Sequence, residues 1–149
     1  MRITTREEQG RAAIEAAGAQ CLIGTPDRLA TLRAVLDGVT IACWMLGTAR
    51  GERAQVRALH GSRLESFLKE AIDTTMRGFV YEAPGVAVAP EMRAAGERIV
   101  RTVAERNAIP TAILRADVED PEAWQAEALA TVGGLLGGRI GDGDTLSSG

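Results

Sequence analysis

With 149 residues, the chain is long enough for one domain with a substantial hydrophobic core. Its composition is that of an ordinary globular protein, 46% hydrophobic and 25% charged, and its net charge of −3 gives no reason to expect nucleic acid or an acidic membrane surface as a partner. The sequence shows no signal pattern and no apolar run of membrane-spanning length, so we expect a cytoplasmic protein without a membrane partner.

The first third of the chain contains two short strand patterns, each followed by a helix signal. Arg2–Thr5 has the pattern of a strand, and Thr5 and Glu8 then fit a capping box for the first helix. Gln20–Ile23 is the second predicted strand. Thr25, followed by proline and aspartate, predicts the start of a second helix.

The most continuous apolar run of the chain is Gly38–Gly47. Turn residues bound it and β-branched residues lie near its start, which is typical of a strand buried on both faces. After an arginine-rich stretch over residues 48–60, a helical pattern begins at Ser62, and further strands are predicted at Phe79–Tyr81 and Thr111–Leu114. The alternation predicts an α/β fold with a mainly parallel sheet of about five strands and helices on both faces.

The carboxyl-terminal part begins with a clear helix start and ends in a glycine-rich segment. Asp120 followed by a proline predicts the amino end of the last helix. Beyond Val132 the glycine content predicts that this helix ends. We therefore expect a folded domain over residues 1–132 and a flexible tail over residues 133–149.

Several residue types that often carry chemistry occur here without the partners that such chemistry needs. Cys21 and Cys43 lie in predicted strands and are expected to be buried free thiols. His60, the only histidine, is expected at the surface or as a helix cap. Tyr81 and Glu82 follow one another at the end of a strand and form a candidate acid–base pair. No zinc, Walker or Ser-His-Asp spacing occurs, so we expect no metal site and no nucleophilic triad.

Three stretches together carry a family resemblance. Glu15–Gly47 contains AAGA at a helix end and MLG at a strand end, Arg77–Tyr81 is a short RGFVY strand, and Glu97–Arg115 ends in AIPTAILR. In this order and spacing they resemble the extended and atypical short-chain dehydrogenase/reductases, especially the NmrA-like branch. The resemblance covers roughly residues 2 to 130. It implies a Rossmann-like three-layer sandwich of the NAD(P)-binding type.

The sequence departs from that family in two places. Family members begin with a strand and a GxxGxxG loop that holds the cofactor pyrophosphate, whereas Met1–Thr5 corresponds to the family's second strand. We therefore expect an N-terminally truncated domain, with a vacant strand position between Arg2–Thr5 and Gly38–Gly47. The family's catalytic serine corresponds to Ala83, and no Tyr-x-x-x-Lys motif follows it, so the resemblance implies no catalytic residue in this chain.

What remains of a cofactor site is partial. The implied contacts are Thr5, Arg6, Thr25, Leu46, Gly47, Thr48 and Ala83. The first two stand where family members accept the 2′-phosphate of NADP, and Thr25 replaces the family's aspartate beside the adenine. Leu46, Gly47 and Thr48 match the strand end near the nicotinamide ribose, and Ala83 stands at the position of the catalytic serine. A solvated arginine on the first turn of a helix is the alternative for Arg6. Binding of NADP or NAD is expected to be weak or absent without the glycine loop.

Three hypotheses for function remain. The first is an NAD(P)-binding-type protein without catalytic activity, serving as a dinucleotide-responsive regulator. The second is an NAD(P)-dependent reductase or epimerase, an oxidoreductase-type enzyme whose true amino terminus lies upstream. The third is a structural or interaction protein that forms a homodimer through its open sheet.

Overall fold

A computed structural model of the chain describes the backbone of residues 1–85 and 88–148, and the side chains of these residues up to 137. These residues form the strands β1 (Arg2–Thr5), β2 (Gln20–Ile23), β3 (Ile41–Trp44), β4 (Gly78–Glu82) and β5 (Thr111–Leu114). They also form the helices α1 (Arg11–Ala16), α2 (Ala30–Arg33), α3 (Arg53–Leu59), α4 (Ser62–Ala71), α5 (Pro90–Asn107) and α6 (Pro121–Ser148). The predicted alternation of strands and helices is confirmed, and with it the α/β class.

The strands form two parallel sheets rather than the single sheet that the sequence predicts. β1 pairs with β2, and the second sheet has the order β3-β4-β5. No described residue pairs with the outer edge of β1 or of β3. At the start of β1, the guanidinium of Arg2 donates hydrogen bonds to the carbonyls of Val35, at 3.1 Å, and Asp37, which precede β3. The amino ends of β1 and β3 therefore lie close together although the two strands share no ladder.

The main core lies between the β3–β5 sheet and helices α4 and α5. Phe79 and Tyr81 of β4 are fully buried in it, and Trp44 of β3 is 5% exposed. Phe67 of α4 packs between two of these rings, with centroid distances of 5.0 Å to Trp44 and 6.2 Å to Phe79. Each such side chain contributes roughly 1.5–3 kcal/mol by leaving water, so this face holds the fold together.

Helix α6 covers the opposite face of the same sheet, where it packs on β4 and β5. The second sheet therefore has helices on both faces, as predicted. β3 lies at the margin of this cover, and Cys43 on that strand is exposed. The expectation of a buried thiol is wrong for Cys43, whereas Cys21 in β2 is buried.

The first helix begins later than the capping-box pattern predicts. The carboxylate of Glu8 binds the guanidinium of Arg11, at 2.7 and 2.9 Å, instead of reaching back to Thr5. The hydroxyl of Thr5 donates to the carbonyl of Glu7 at 3.4 Å. Residues Glu8–Gly10 therefore form a short 3-10 helix before α1 begins.

The last helix begins as predicted but extends further. The carboxylate of Asp120 accepts the backbone N–H of Ala123 at 3.1 Å, which caps the helix. The helical backbone then continues to Ser148, past the predicted end near Val132, because glycine weakens a helix without forbidding helical torsion angles. The flexibility of residues 133–149 stays a prediction, and Gly149 lies outside the described residues. No helix of the described chain is both long and apolar enough to cross a membrane.

Candidate functional site

The residues predicted to contact a ligand follow the carboxyl ends of four strands. Loops at these ends emerge at one edge of a parallel sheet, which is where open α/β folds bind ligands. Because the strands form two sheets, the predicted residues fall into two groups. The first group, at the ends of β1 and β2, is Thr5, Arg6 and Thr25, and the loop group after β3 and β4 is Leu46, Gly47, Thr48 and Ala83.

The first group is polar, with Arg6 exposed and Thr5 and Thr25 half-buried. The guanidinium of Arg6 lies 3.4 Å from the carboxylate of Asp27, and the two side chains are 64% and 50% exposed. The hydroxyl of Thr25 accepts the N–H of Asp27 at 3.3 Å, and the N–H of Thr25 donates to the hydroxyl of Thr31 at 2.9 Å. This turn replaces the helix start predicted at Thr25, so α2 begins only at Ala30.

The Arg6–Asp27 pair leaves Arg6 able to change partners. An exposed ion pair of this kind contributes about 0–1 kcal/mol, whereas a guanidinium binds a phosphate through two parallel hydrogen bonds. The arrangement therefore fits an arginine that exchanges a surface carboxylate for an anionic ligand.

The loop group is packed tightly against the end of β4. The N–H of Gly47 donates to Oε1 of Glu82 at 2.7 Å. A Cβ atom at Gly47 would lie 2.8 Å from that oxygen and 2.8 Å from the carbonyl oxygen of Ala83, so a larger residue does not fit. Gly47 and Ala83 are thus neighbours, while the side chain of Thr48 is exposed.

Glu82 is the central polar side chain of the loop group, and the sequence indicated it only as half of a candidate acid–base pair with Tyr81. It is 4% exposed, and its second oxygen, Oε2, accepts the indole N–H of Trp124 at 2.7 Å. Tyr81 faces the other side of the sheet, so the candidate Tyr81–Glu82 pair is not formed. The sequence signal that could have indicated this role of Glu82 is an acidic residue at the end of a buried strand. Its partners lie 35 and 42 positions away, which one sequence cannot show.

A second buried polar pair lies on the opposite face of β4. Nδ1 of His60 and the hydroxyl of Tyr81 are 2.7 Å apart, and the residues are 1% and 0% exposed. His60 stands at the carboxyl end of α3, but its ring is buried, so the expected surface position is wrong. Burial lowers the pKa of His60, and the backbone of Leu46 partly offsets this. Burial also raises the pKa of Tyr81, and the nearby charge of Glu97 adds to that rise.

Two residues at the end of β4, Ala83 and Tyr81, bear on proton transfer. Ala83 has no hydroxyl, and the hydroxyl of Tyr81 is engaged with His60 inside the core. Within the described residues, no group of three or more His, Cys, Asp or Glu side chains is placed to hold a metal ion. The carboxylates of Asp117 and Asp120, before α6, accept backbone N–H groups at 2.9 and 3.1 Å.

Comparison with solved structures identifies the fold. No protein-family model matches the sequence, and no curated protein is similar to it. The triphenylmethane reductase of Citrobacter sp., complexed with NADP(H), is similar at 18% identity and a TM-score of 0.59, over 76% of this chain and 39% of the reductase. The fold is Rossmann-like.

Two further structures have the same relation to this Rossmann-like chain. Another structure of the Citrobacter sp. reductase, described as an insight into bioremediation of triphenylmethane dyes, has 18% identity and a TM-score of 0.59, over 76% of this chain and 38% of its own. A protein described as gox2253 has 16% identity and a TM-score of 0.58, over 75% and 42%. The chain thus spans about two fifths of the length of these proteins.

Proposed function

We propose that this Rossmann-like chain binds NADP, or more weakly NAD, as a dinucleotide-responsive regulator without catalysing a reaction itself. The observation that carries the proposal is the exposed guanidinium of Arg6, which lies at the carboxyl end of β1 beside the turn that contains Thr25. Open α/β sheets bind ligands at this edge. The likeness in fold to a reductase complexed with NADP(H) supports the choice of ligand.

In the proposed mode, the two groups of residues bind the two ends of the dinucleotide. Arg6 releases its surface carboxylate and binds the 2′-phosphate of NADP, while Thr5 and Thr25 border the adenosine. The loop Leu46–Thr48 and Ala83 border the nicotinamide ribose, to which the loop's exposed threonine offers a hydroxyl. Binding is weak, because the described residues provide no glycine-rich loop for the pyrophosphate.

The absence of catalysis in this proposal follows from the groups beside the nicotinamide position. Reduction of a carbonyl needs a positioned proton donor near the hydride acceptor. Ala83 has no proton to give, and the Tyr81 hydroxyl points into the core toward His60. A bound dinucleotide therefore acts as a signal that changes the chain's stability or partners, by mass action on the folded state.

A comparison of NADPH with NADH tests the proposal. Arg6→Ala should weaken NADPH binding at least about tenfold, because the charged hydrogen-bonding partner of the 2′-phosphate is lost, and should leave NADH binding unchanged. Nicotinamide fluorescence during titration of the full chain measures both affinities.

Arg28→Ala is the matched control for this test. Arg28 is exposed in the same turn and its removal changes the net charge equally. An equal loss in both variants would indicate a general charge effect, and no fluorescence change with millimolar NADPH would remove cofactor sensing altogether.

The open edges of β1 and β3 favour a second candidate function, an interaction module completed by another strand. Among the described residues, neither strand has a ladder partner along its second edge. A strand from a second copy would make a homodimer by strand addition. A strand from a preceding segment would instead make this chain part of an NAD(P)-dependent reductase or epimerase.

Two measurements separate these alternatives. Size-exclusion chromatography with light scattering should show a dimer if a second copy fills the position, and a stable monomer contradicts it. An open reading frame that continues upstream of Met1 through a strand and a GxxGxxG loop would favour the enzyme, although Ala83 would still oppose ordinary reductase chemistry.

A further inference from the structure

Glu82 holds the loop Leu46–Thr48 from inside the protein. Its Oε1 accepts the N–H of Gly47 at 2.7 Å, and its Oε2 accepts the indole N–H of Trp124 at 2.7 Å. The side chain is 4% exposed, and a buried carboxylate is costly unless its oxygens are hydrogen-bonded. Both bonds are therefore needed for the folded arrangement, and the position of Gly47 depends on Glu82.

These contacts decide which groups of the loop face a ligand. The N–H of Gly47 points inward to Glu82, and the carbonyl of Leu46 accepts the N–H of Ala49 at 3.1 Å. Both backbone groups are thus engaged within the protein. The side chain of Thr48, the next residue of the loop, remains exposed.

We infer that Glu82 is a positioning residue for the nicotinamide side of the dinucleotide. By holding the N–H of Gly47 inward, it sets the loop so that Thr48 faces the nicotinamide ribose, although Glu82 itself touches no ligand. Trp124 of α6 donates to the second oxygen, so this helix also helps to hold Glu82 in position. This inference rests on the proposed function, because it assigns Glu82 a role in binding that ligand.

The inference requires that Glu82 affect one end of the dinucleotide and not the other. Adenosine 2′,5′-bisphosphate carries the adenosine and the 2′-phosphate but lacks the nicotinamide half. It would bind at Arg6 and Thr25, which follow the two strands of the other sheet. NADPH would bind at both groups of residues, so the ratio of the two affinities isolates the loop.

The test measures both affinities for the full chain and three variants. Glu82→Ala should weaken NADPH binding about tenfold, which corresponds to about 1.4 kcal/mol, and leave binding of adenosine 2′,5′-bisphosphate unchanged. Glu82→Gln should recover most of the NADPH affinity, because its amide oxygen still accepts the N–H of Gly47. Trp124→Phe, which removes only the Oε2 bond, should fall between Glu82→Ala and the wild type.

The outcomes separate the inference from the proposed function. Equal weakening of both ligands would show a general loss of structure, and unchanged NADPH binding would show no role; either result overturns the inference. If the wild-type protein binds the bisphosphate as tightly as it binds NADPH, then NADPH gains nothing from the loop. That result overturns the inference alone. Wild-type protein that binds neither ligand refutes the proposed function, and the inference falls with it. If Glu82→Ala fails to fold, Glu82→Gln and Trp124→Phe carry the test, since the bisphosphate affinity reports their folding.

Discussion

The two sheets of this molecule differ in how deeply their side chains are buried. Phe79, Val80 and Tyr81 of β4 are each 0% exposed, in a core with helices on both faces. In the smaller sheet, Ile23 of β2 is 41% exposed, and surface contacts such as the 3.4 Å Arg6–Asp27 pair lie at its carboxyl end. The difference separates stability from recognition. The β3–β5 sheet carries most of the folding free energy, and the β1–β2 sheet presents the groups proposed to recognise a phosphate.

We expect the largest difference in the free energy of unfolding between two apolar truncations, one in each sheet. Phe79→Ala should lower the free energy of unfolding by about 3–5 kcal/mol, since it leaves a cavity beside Phe67. Ile23→Ala should cost less, about 1–2 kcal/mol, because Ile23 is already 41% exposed. Urea unfolding followed by circular dichroism measures both, and equal losses would break the comparison.

A substitution at Gly96 tests how closely the core is packed around Tyr81. A Cβ atom at Gly96 in α5 would lie 2.1 Å from the Tyr81 hydroxyl, which His60 holds in place. Gly96→Ala should therefore lower the free energy of unfolding by about 1–3 kcal/mol despite the better helix propensity of alanine.

A glycine in α6 provides the matched control for Gly96→Ala. A Cβ atom at Gly134 would meet nothing within 4 Å, so Gly134→Ala should stabilise the protein by up to about 1 kcal/mol. Adding Tyr81→Phe to Gly96→Ala removes the hydroxyl that causes the clash and should recover part of the loss. An unchanged loss in the double variant would contradict the proposed clash.

The smallest effect is a pH dependence that belongs to the larger sheet alone. Burial lowers the pKa of His60 below its ordinary value of 6.5, so the unfolded chain binds more protons once the pH falls below 6.5. The free energy of unfolding should therefore fall as the pH drops from 6.5 toward the folded pKa, by at most about 1.4 kcal/mol per pH unit for one proton.

The only histidine makes this pH dependence easy to assign. Glu8, Glu70 and Glu97 have lowered pKa values, so their protonation reduces the free energy of unfolding only at pH values near or below 4.5, their ordinary pKa. His60→Asn should flatten the slope just below pH 6.5 even if it lowers the overall stability. A slope that persists in this variant would mean that another group titrates there.

The sequence predicted the local elements well where one segment decides them. β1, β2 and β5 have the predicted bounds, because each is a short apolar or β-branched run between turn residues. The start of α2 was wrong, because the Thr25 hydroxyl closes a turn on Asp27 instead of capping a helix. Local patterns allow both outcomes, and tertiary contacts choose between them.

The site was less predictable, since its buried polar groups find partners far along the chain. Glu82 joins Gly47 and Trp124, and His60 joins Tyr81, at separations of 21 to 42 residues. The division into two sheets was foreseen only as a vacant strand position that the family resemblance implied. Sequence alone therefore indicated the edge that carries the candidate site, but not the side chains that shape it.

The position at which NADPH binds the folded chain tests the proposed binding mode directly. Backbone amide chemical shifts, recorded during titration of isotope-labelled protein with NADPH, report this residue by residue. We predict that the largest changes occur at Arg6, Thr25 and Thr48, at the carboxyl ends of β1, β2 and β3. Changes confined to the opposite end of the sheet, near Arg77 and Pro110, or no changes at saturating NADPH, would contradict it.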